Sequence, residues 1–267
     1  MDLIGWDYTG RNIGIDFHRQ MRLMMYYLML PSFTNHRAWG NPIQDDLAPK
    51  MGVASSGVVR TVKRICESFG FIDNDMFKPR IELEGDQILT ERGKIIYQIA
   101  TLEHELLTSE DMEDKKRELA LNQIKNLYEE VYCDALRFYF YDNGDGTYLS
   151  PLRATLKALN KYGRMDKWEW YLMNTFIRHD DNPDEEETLE EHIYKYRNGL
   201  YSFTMKNVVE KPKGHQYIPQ YFEYAGLVQL IQRPEWSISG NDKHNIIKQD
   251  VLSIDFLERL HGGTHNG

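Results

Sequence analysis

Apolar positions recur every three to four residues along much of the chain, and the rhythm breaks at Pro, Gly, Ser, Thr and Asp. Phe17, Met21, Met24, Met25 and Leu28 mark one face of a helix over Phe17–Leu30, which Pro31 stops. A short helix follows at Ile43–Met51, broken near Pro49, and Gly52 supplies a tight turn. Ser55 suits the N-cap of a helix running to Ser68. The pattern puts Val58, Val62, Ile65 and Phe69 inward and Ser56, Arg60, Thr61, Lys63 and Arg64 outward. Phe71–Leu89 reads as a two-stranded wing around Glu84-Gly85-Asp86, and Thr90 caps a helix over Glu91–Leu107. A long helix, Asp111–Tyr139, has Leu119, Ile124, Leu127, Val131, Ala135 and Phe138 on its apolar side and is expected to bridge two halves.

The second half repeats the plan. Ser150 caps a helix whose first residue is Pro151; it runs to Tyr162 with Leu152, Leu156 and Leu159 inward, and Gly163 ends it. Asp166 caps Lys167–Phe176, an acidic loop covers 179–187, and a helix covers Leu189–Asn198. After the basic, turn-rich stretch Lys206–Lys213 comes a helix at Tyr217–Ala225, with Gly226 as its stop. Leu227–Ile231 and Trp236–Ile238 pattern as a second hairpin, and Ile246–Leu260 as a closing helix. The expected fold is mainly α with small β wings: two winged helix-turn-helix subdomains joined by a long helix. Its parts are an N-terminal winged-helix subdomain (1–108), a connecting helix and turn (109–148) and a second winged-helix subdomain (149–267).

An apolar share of 41% in 267 residues excludes a disordered or collagen-like chain. No apolar run approaches the roughly 20 residues that cross a bilayer. The start, Met1-Asp2-Leu3-Ile4-Gly5-Trp6-Asp7, has no basic region or signal-peptide core. Cys66 and Cys133 fall in helical patterns without partner spacing, so a reduced, cytoplasmic protein with no disulfide framework and no zinc site is expected. The net charge of −9 is uneven: eight acids crowd into His179–Glu191, with no Lys or Arg among them. Without them the rest of the chain is one charge from neutral, which leaves room for a local basic face.

In a winged helix the second helix of the motif enters the major groove, where Arg, Lys, Ser and Thr reach base edges and phosphates. Ser55, Ser56, Arg60, Thr61, Lys63 and Arg64 are the right types at the right spacing, with Arg60 and Arg64 one turn apart. Lys78 and Arg80 in the wing are placed for phosphates. In the second half the candidates are Lys206, Lys211, Lys213, His215, Gln216 and Gln220. Asp142-Asn143-Gly144-Asp145-Gly146 reads as a turn, because Gly144 breaks the alternation of a calcium loop. His179-Asp180-Asp181 with His192 reads as a solvated acidic loop, and Trp168 and Trp170 as core.

Longer stretches carry a family likeness. Leu149-Ser150-Pro151-Leu152, Leu156-Lys157-Ala158-Leu159, Tyr162-Gly163-Arg164-Met165-Asp166-Lys167, Tyr196-Arg197-Asn198 and Tyr221-Phe222-Glu223-Tyr224-Ala225-Gly226-Leu227 follow one another in the second half. In the first, Ser55, Arg60 and Phe69-Gly70-Phe71 precede Ile88-Leu89-Thr90-Glu91-Arg92-Gly93-Lys94. Together, over about residues 40–255, these resemble the target-recognition region of type IIS restriction and nicking endonucleases of the AlwI type, similar to the FokI recognition domain. The resemblance implies two winged-helix subdomains on an asymmetric DNA site, with cleavage at a fixed offset by a separate Mg2+-dependent nuclease domain. Such a nuclease needs a carboxylate and then an acid-x-Lys pair on adjacent strands. Glu113-Asp114-Lys115 has that spacing but falls at a charged helix start, and the chain ends near where a linker to the nuclease would begin.

The expected function is therefore sequence-specific recognition of double-stranded DNA at a short asymmetric site, as a monomer on DNA. No cofactor is expected in this chain, and Mg2+ is expected only with an attached nuclease domain or subunit. A winged-helix transcription regulator and a protein-interaction scaffold are the alternatives.

Overall fold

A computed structural model of the chain describes residues 1–6, 10–142, 146–209, 214–232 and 245–249. It is mainly helical, with a two-stranded and a three-stranded antiparallel sheet. The chain forms two compact units, one of Thr9–Phe138 and one of Met1–Tyr8 with Tyr139–Gly267. The long helix expected to connect the halves lies with the first unit, and the first residues of the chain lie with the second.

The first unit holds helices α1 (Ile15–Met29), α2 (Pro31–Thr34), α3 (Asn41–Lys50), α4 (Ser56–Ser68), α5 (Glu91–Thr108) and α6 (Asp114–Arg137). Met21, Met24, Met25 and Leu28 of α1 are fully buried, as a helical stripe facing α3, α4 and α5 should be. The α4 stripe buries Val59, Val62, Ile65 and Cys66, with Phe69 just beyond; Val58, expected inward, is half-buried. Ser55 has the extended backbone of a cap residue, but its hydroxyl caps nothing.

The expected wing Phe71–Leu89 forms no continuous strands. A 3-10 turn at Asn74–Phe77 interrupts it, and pairing reduces to isolated bridges, Ile72 with Leu89 and Ala38 with Glu82. Asp73 folds back to accept a bond from its neighbour Asp75, and this local alternative replaces the ladder. Thr90 caps α5, accepting from the Gly93 amide at 3.0 Å and donating to the Gly70 carbonyl at 2.6 Å. Gly93 is obligatory: a Cβ there would stand 1.8 Å from the Phe71 carbonyl oxygen. The helix α6 packs on α5 through Ile124, Tyr128, Tyr132, Ala135 and Leu136. The apolar side expected for it is corrected accordingly, since Leu119, Leu127 and Phe138 are exposed. Tyr128 and Tyr132, not among the residues expected on that side, supply much of the inward face.

The second unit holds strands β1 (Tyr141–Asp142) and β2 (Tyr148–Leu149), helix α7 (Pro151–Tyr162), strand β3 (Arg164–Met165), and helices α8 (Lys167–Phe176), α9 (Pro183–Arg197) and α10 (Gly214–Tyr224). Strands β4 (Val228–Gln232) and β5 (Asn245–Gln249) complete it. The sheet order is β3-β5-β4: β5 is central, with Ile247 opposite both Met165 and Leu230. Ile246, expected to open a helix, thus lies in a strand. The expected hairpin partner Trp236–Ile238, the rest of the expected closing helix and the Asn143-Gly144 turn lie outside the described residues.

Near the start of the chain, Leu3 bridges Val208, and Trp6 is fully buried against Trp170. The Trp6 indole N–H donates to the Ile177 carbonyl at 3.2 Å, and its amide donates to the Asn174 side chain.

Replacing Gly93 with Ala should lower stability by about 3 kcal/mol, the upper range of overpacking, because the obstacle is backbone. Ala at exposed Gly146, where a Cβ meets nothing, should cost only its positive-φ strain of about 1 kcal/mol. Urea unfolding of both variants checks the contrast.

Candidate nucleic-acid interface

Burial of one side of α4 leaves the other side to Arg60 and Arg64, both exposed. Arg60 is steered by a hydrogen bond from Nη1 to Gln44 Oε1 of α3 at 3.2 Å. The Arg64 carbonyl accepts from the Ser68 hydroxyl at 2.9 Å, while its guanidinium makes no hydrogen bond or ion pair among the described residues. Ser55 is exposed and Ser56 half-buried beside them; the Thr61 hydroxyl is turned back onto the Gly57 carbonyl.

Lys63 differs from its expected role. Its ammonium lies 4.7 Å from the Phe77 ring and 5.7 Å from the Trp39 ring, and it pairs with Glu67. It is largely covered and braces the 3-10 turn against α4. In the interrupted wing, Lys78 is engaged by Asp75 at 2.6 Å, whereas Arg80 is exposed at a positive φ of 69°.

In the second unit Lys206 is exposed and Gln220 half-buried. The side chains of His215 and Gln216, in the first turns of α10, and all of Lys211 and Lys213 lie outside the described residues. The two candidate surfaces belong to separate compact units.

The acidic segment is not the solvated loop expected. Its second part is the start of α9, where Asn182 caps Asp184, Pro183 takes the first position, and Asp184, Glu185 and Glu186 meet the positive end of the helix dipole. Its acids also face a row of cations on α7. Arg153 pairs with Asp180 and Asp181, Lys157 with Asp181 and Glu186, and Lys161 with Glu190 at 2.7 Å. The spacing 153, 157, 161 was the signal for this row, one cation per helical turn. His179 is bonded to Glu185 at 2.6 Å, and His192 is stacked on Phe176 at 4.2 Å, so the two histidines serve separate contacts.

Behind α8 lies a buried polar knot. Asp166 accepts from the Trp168 and Glu169 amides at 2.9 Å and from the Tyr196 hydroxyl at 2.7 Å. The Glu169 carboxylate accepts in turn from the Asp166 amide, and from Arg197 Nε at 2.5 Å. Arg197 also caps α7, donating to the Tyr162 carbonyl and to the Arg164 carbonyl at 2.9 Å. Burial, and then the nearby Glu169 charge, push the Asp166 carboxyl up to about 6; its hydrogen bonds oppose this only in part.

Burial also pushes the Cys66 and Cys133 thiols up, so neither is activated as a nucleophile. Glu113-Asp114-Lys115 forms the start of α6, where Asp114 pairs with Arg117. Among the described residues no group of three or more His, Cys, Asp or Glu side chains could hold a metal ion, and no helix is long and apolar enough to cross a membrane. No residue here is assigned a part in Mg2+ chemistry.

Comparison of the chain with protein-family models and with curated proteins finds no match.

Two outcomes test the knot. Arg197→Ala strands the Glu169 carboxylate, whose side chain is 1% exposed, and should cost about 3–5 kcal/mol in urea unfolding. The Asp166 carboxyl binds its proton more tightly folded than unfolded, so the folded state holds more protons between pH 4 and pH 6. Stability should therefore fall as pH rises through that window, by up to about 3 kcal/mol. Asp166→Asn, though weaker overall, should lack that part of the decline.

Proposed function

We propose that the protein is a sequence-specific reader of duplex DNA, with α4 as the helix that enters the major groove. The observation that carries this reading is the pair Arg60 and Arg64, exposed one turn apart on a helix whose opposite face is buried in the unit. A guanidinium such as that of Arg64, without a partner among the described residues, matches the paired acceptors of guanine, or two phosphate oxygens.

The order of elements supports winged helix-turn-helix units. In the first unit α1, the Ala38 bridge, α3, α4 and the paired segments at Ile72 and Leu89 follow one another. In the second, α7, β3, α8, α10, β4 and β5 follow the same plan, with α9 inserted and the last strand between the other two. Each unit thus places one helix, α4 or α10, immediately before its paired segments. The reading extends to the target-recognition part of a type IIS restriction or nicking endonuclease, partnered by a separate Mg2+-dependent nuclease domain or subunit. The motif resemblance supports that step.

Within the interface, Arg60, Arg64 and Ser55 are assigned to the DNA, with Arg80 on a flanking phosphate. Lys63 is assigned to bracing the reader. Selection from randomised duplexes at low salt, with and without Mg2+, should enrich one short asymmetric motif. Arg60→Ala or Arg64→Ala should weaken the selected site by about 1–3 kcal/mol, roughly 5- to 150-fold, and relax one base position. Arg80→Ala should weaken all sequences alike and flatten the salt dependence. If no motif is enriched, the reading fails.

A further inference from the structure

The outer side of α6 carries a pattern that neither the fold nor the proposed DNA contacts use. Lys116, Leu119, Gln123, Leu127 and Glu130 lie along it, spaced three, four, four and three residues apart. At 3.6 residues per turn they form one stripe, turned about 150° from the face that packs on the unit. All five side chains are exposed, and Leu119 and Leu127 are 63% and 41% accessible. Among the described residues, the one ion pair that a stripe residue makes is Lys116 with Glu113, an exposed contact at 3.4 Å.

The stripe reads the same in both directions except for its charge, which changes sign. Reversed about Gln123, Leu119 falls on Leu127 and Lys116 on Glu130. A two-fold axis makes this demand of a helix that pairs with its own copy: each residue i that meets j must be met by j in return. Placed antiparallel, two such stripes match leucine with leucine, lysine with glutamate at both ends, and the two Gln123 amides at the centre. A parallel pairing would set lysine on lysine and glutamate on glutamate. We propose that α6 is a dimer seam, and that its occupant is α6 of a second copy of this chain in antiparallel register.

The seam is four turns long and by itself smaller than a standard stable interface, so the dimer forms at micromolar concentration. The inference does not rest on DNA binding and is tested without DNA. Sedimentation velocity of the full chain from 1 to 200 μM should show conversion from the 31.6 kDa chain to twice that mass. Leu119→Glu should weaken association at least tenfold while leaving circular dichroism and melting unchanged, since its site is exposed. Lys116→Glu and Glu130→Lys should each weaken it, and the double variant should restore it. Gln123→Cys should cross-link to its own copy, whereas Lys116→Cys, about 20 Å from its counterpart in this register, should not. A chain monomeric at every concentration overturns the proposal. So does a dimer indifferent to Leu119→Glu, one the charge exchange does not rescue, or cross-linking at both cysteine positions.

Discussion

The Phe71 carbonyl oxygen occupies the place where a side chain on residue 93 would begin. Because Gly93 has none, α5 starts directly on the segment that leaves α4, and Thr90 seals the junction with bonds to both sides. From that junction α5 runs on to pack against α1 and α6. The helix α5 presents Glu103, which holds His18 of α1 at 3.1 Å and the Tyr128 hydroxyl of α6 at 3.0 Å, with the two rings stacked 3.8 Å apart. Phe69 and Phe71, on either side of the junction, close against Tyr132. The outward direction of Arg60 and Arg64 is thus set from behind, by the apolar side of their own helix.

The second unit has a different fastening. Where the first brings backbone onto backbone, the second buries two carboxylates beside each other and closes them with Tyr196 and Arg197. That arrangement contributes positioning more than net stability, since the charges lose their hydration and regain it only through a complete set of partners. Many of the short motifs that gave the chain its family likeness are these fasteners. Thr90 and Gly93, Asp166, and Tyr196-Arg197 hold helices together. The resemblance therefore speaks to how helices are joined.

What was legible in the sequence had strong local causes. Pro151–Tyr162 and Lys167–Phe176 have the boundaries expected, because Ser150, Gly163 and Asp166 act at their ends through bonds a few residues long. What was not legible depends on partners far along the chain. The strand Asn245–Gln249 has a short apolar run that periodicity cannot tell from a helix, and only its neighbours β3 and β4 decide it. The acidic segment looked like a loop because it lacks apolar spacing, yet the α7 cations and the helix dipole make it helical. On α4, spacing anticipated that Arg60 and Arg64 are exposed. They could not show that Lys63 is drawn onto Phe77 and Trp39, because that needs Trp39 to be folded back from ahead of α3.

The strap made by Leu3 and Trp6 has a consequence for biosynthesis. Trp6 leaves the ribosome well before the groups that receive it, Trp170, Asn174 and Ile177, are translated. The intervening Thr9–Phe138 unit carries its own core and can fold in that interval. Leu3 and Trp6 must therefore wait, apolar and unpacked, while the intervening unit is made, and their unit closes only by joining two segments that are far apart in the order of synthesis.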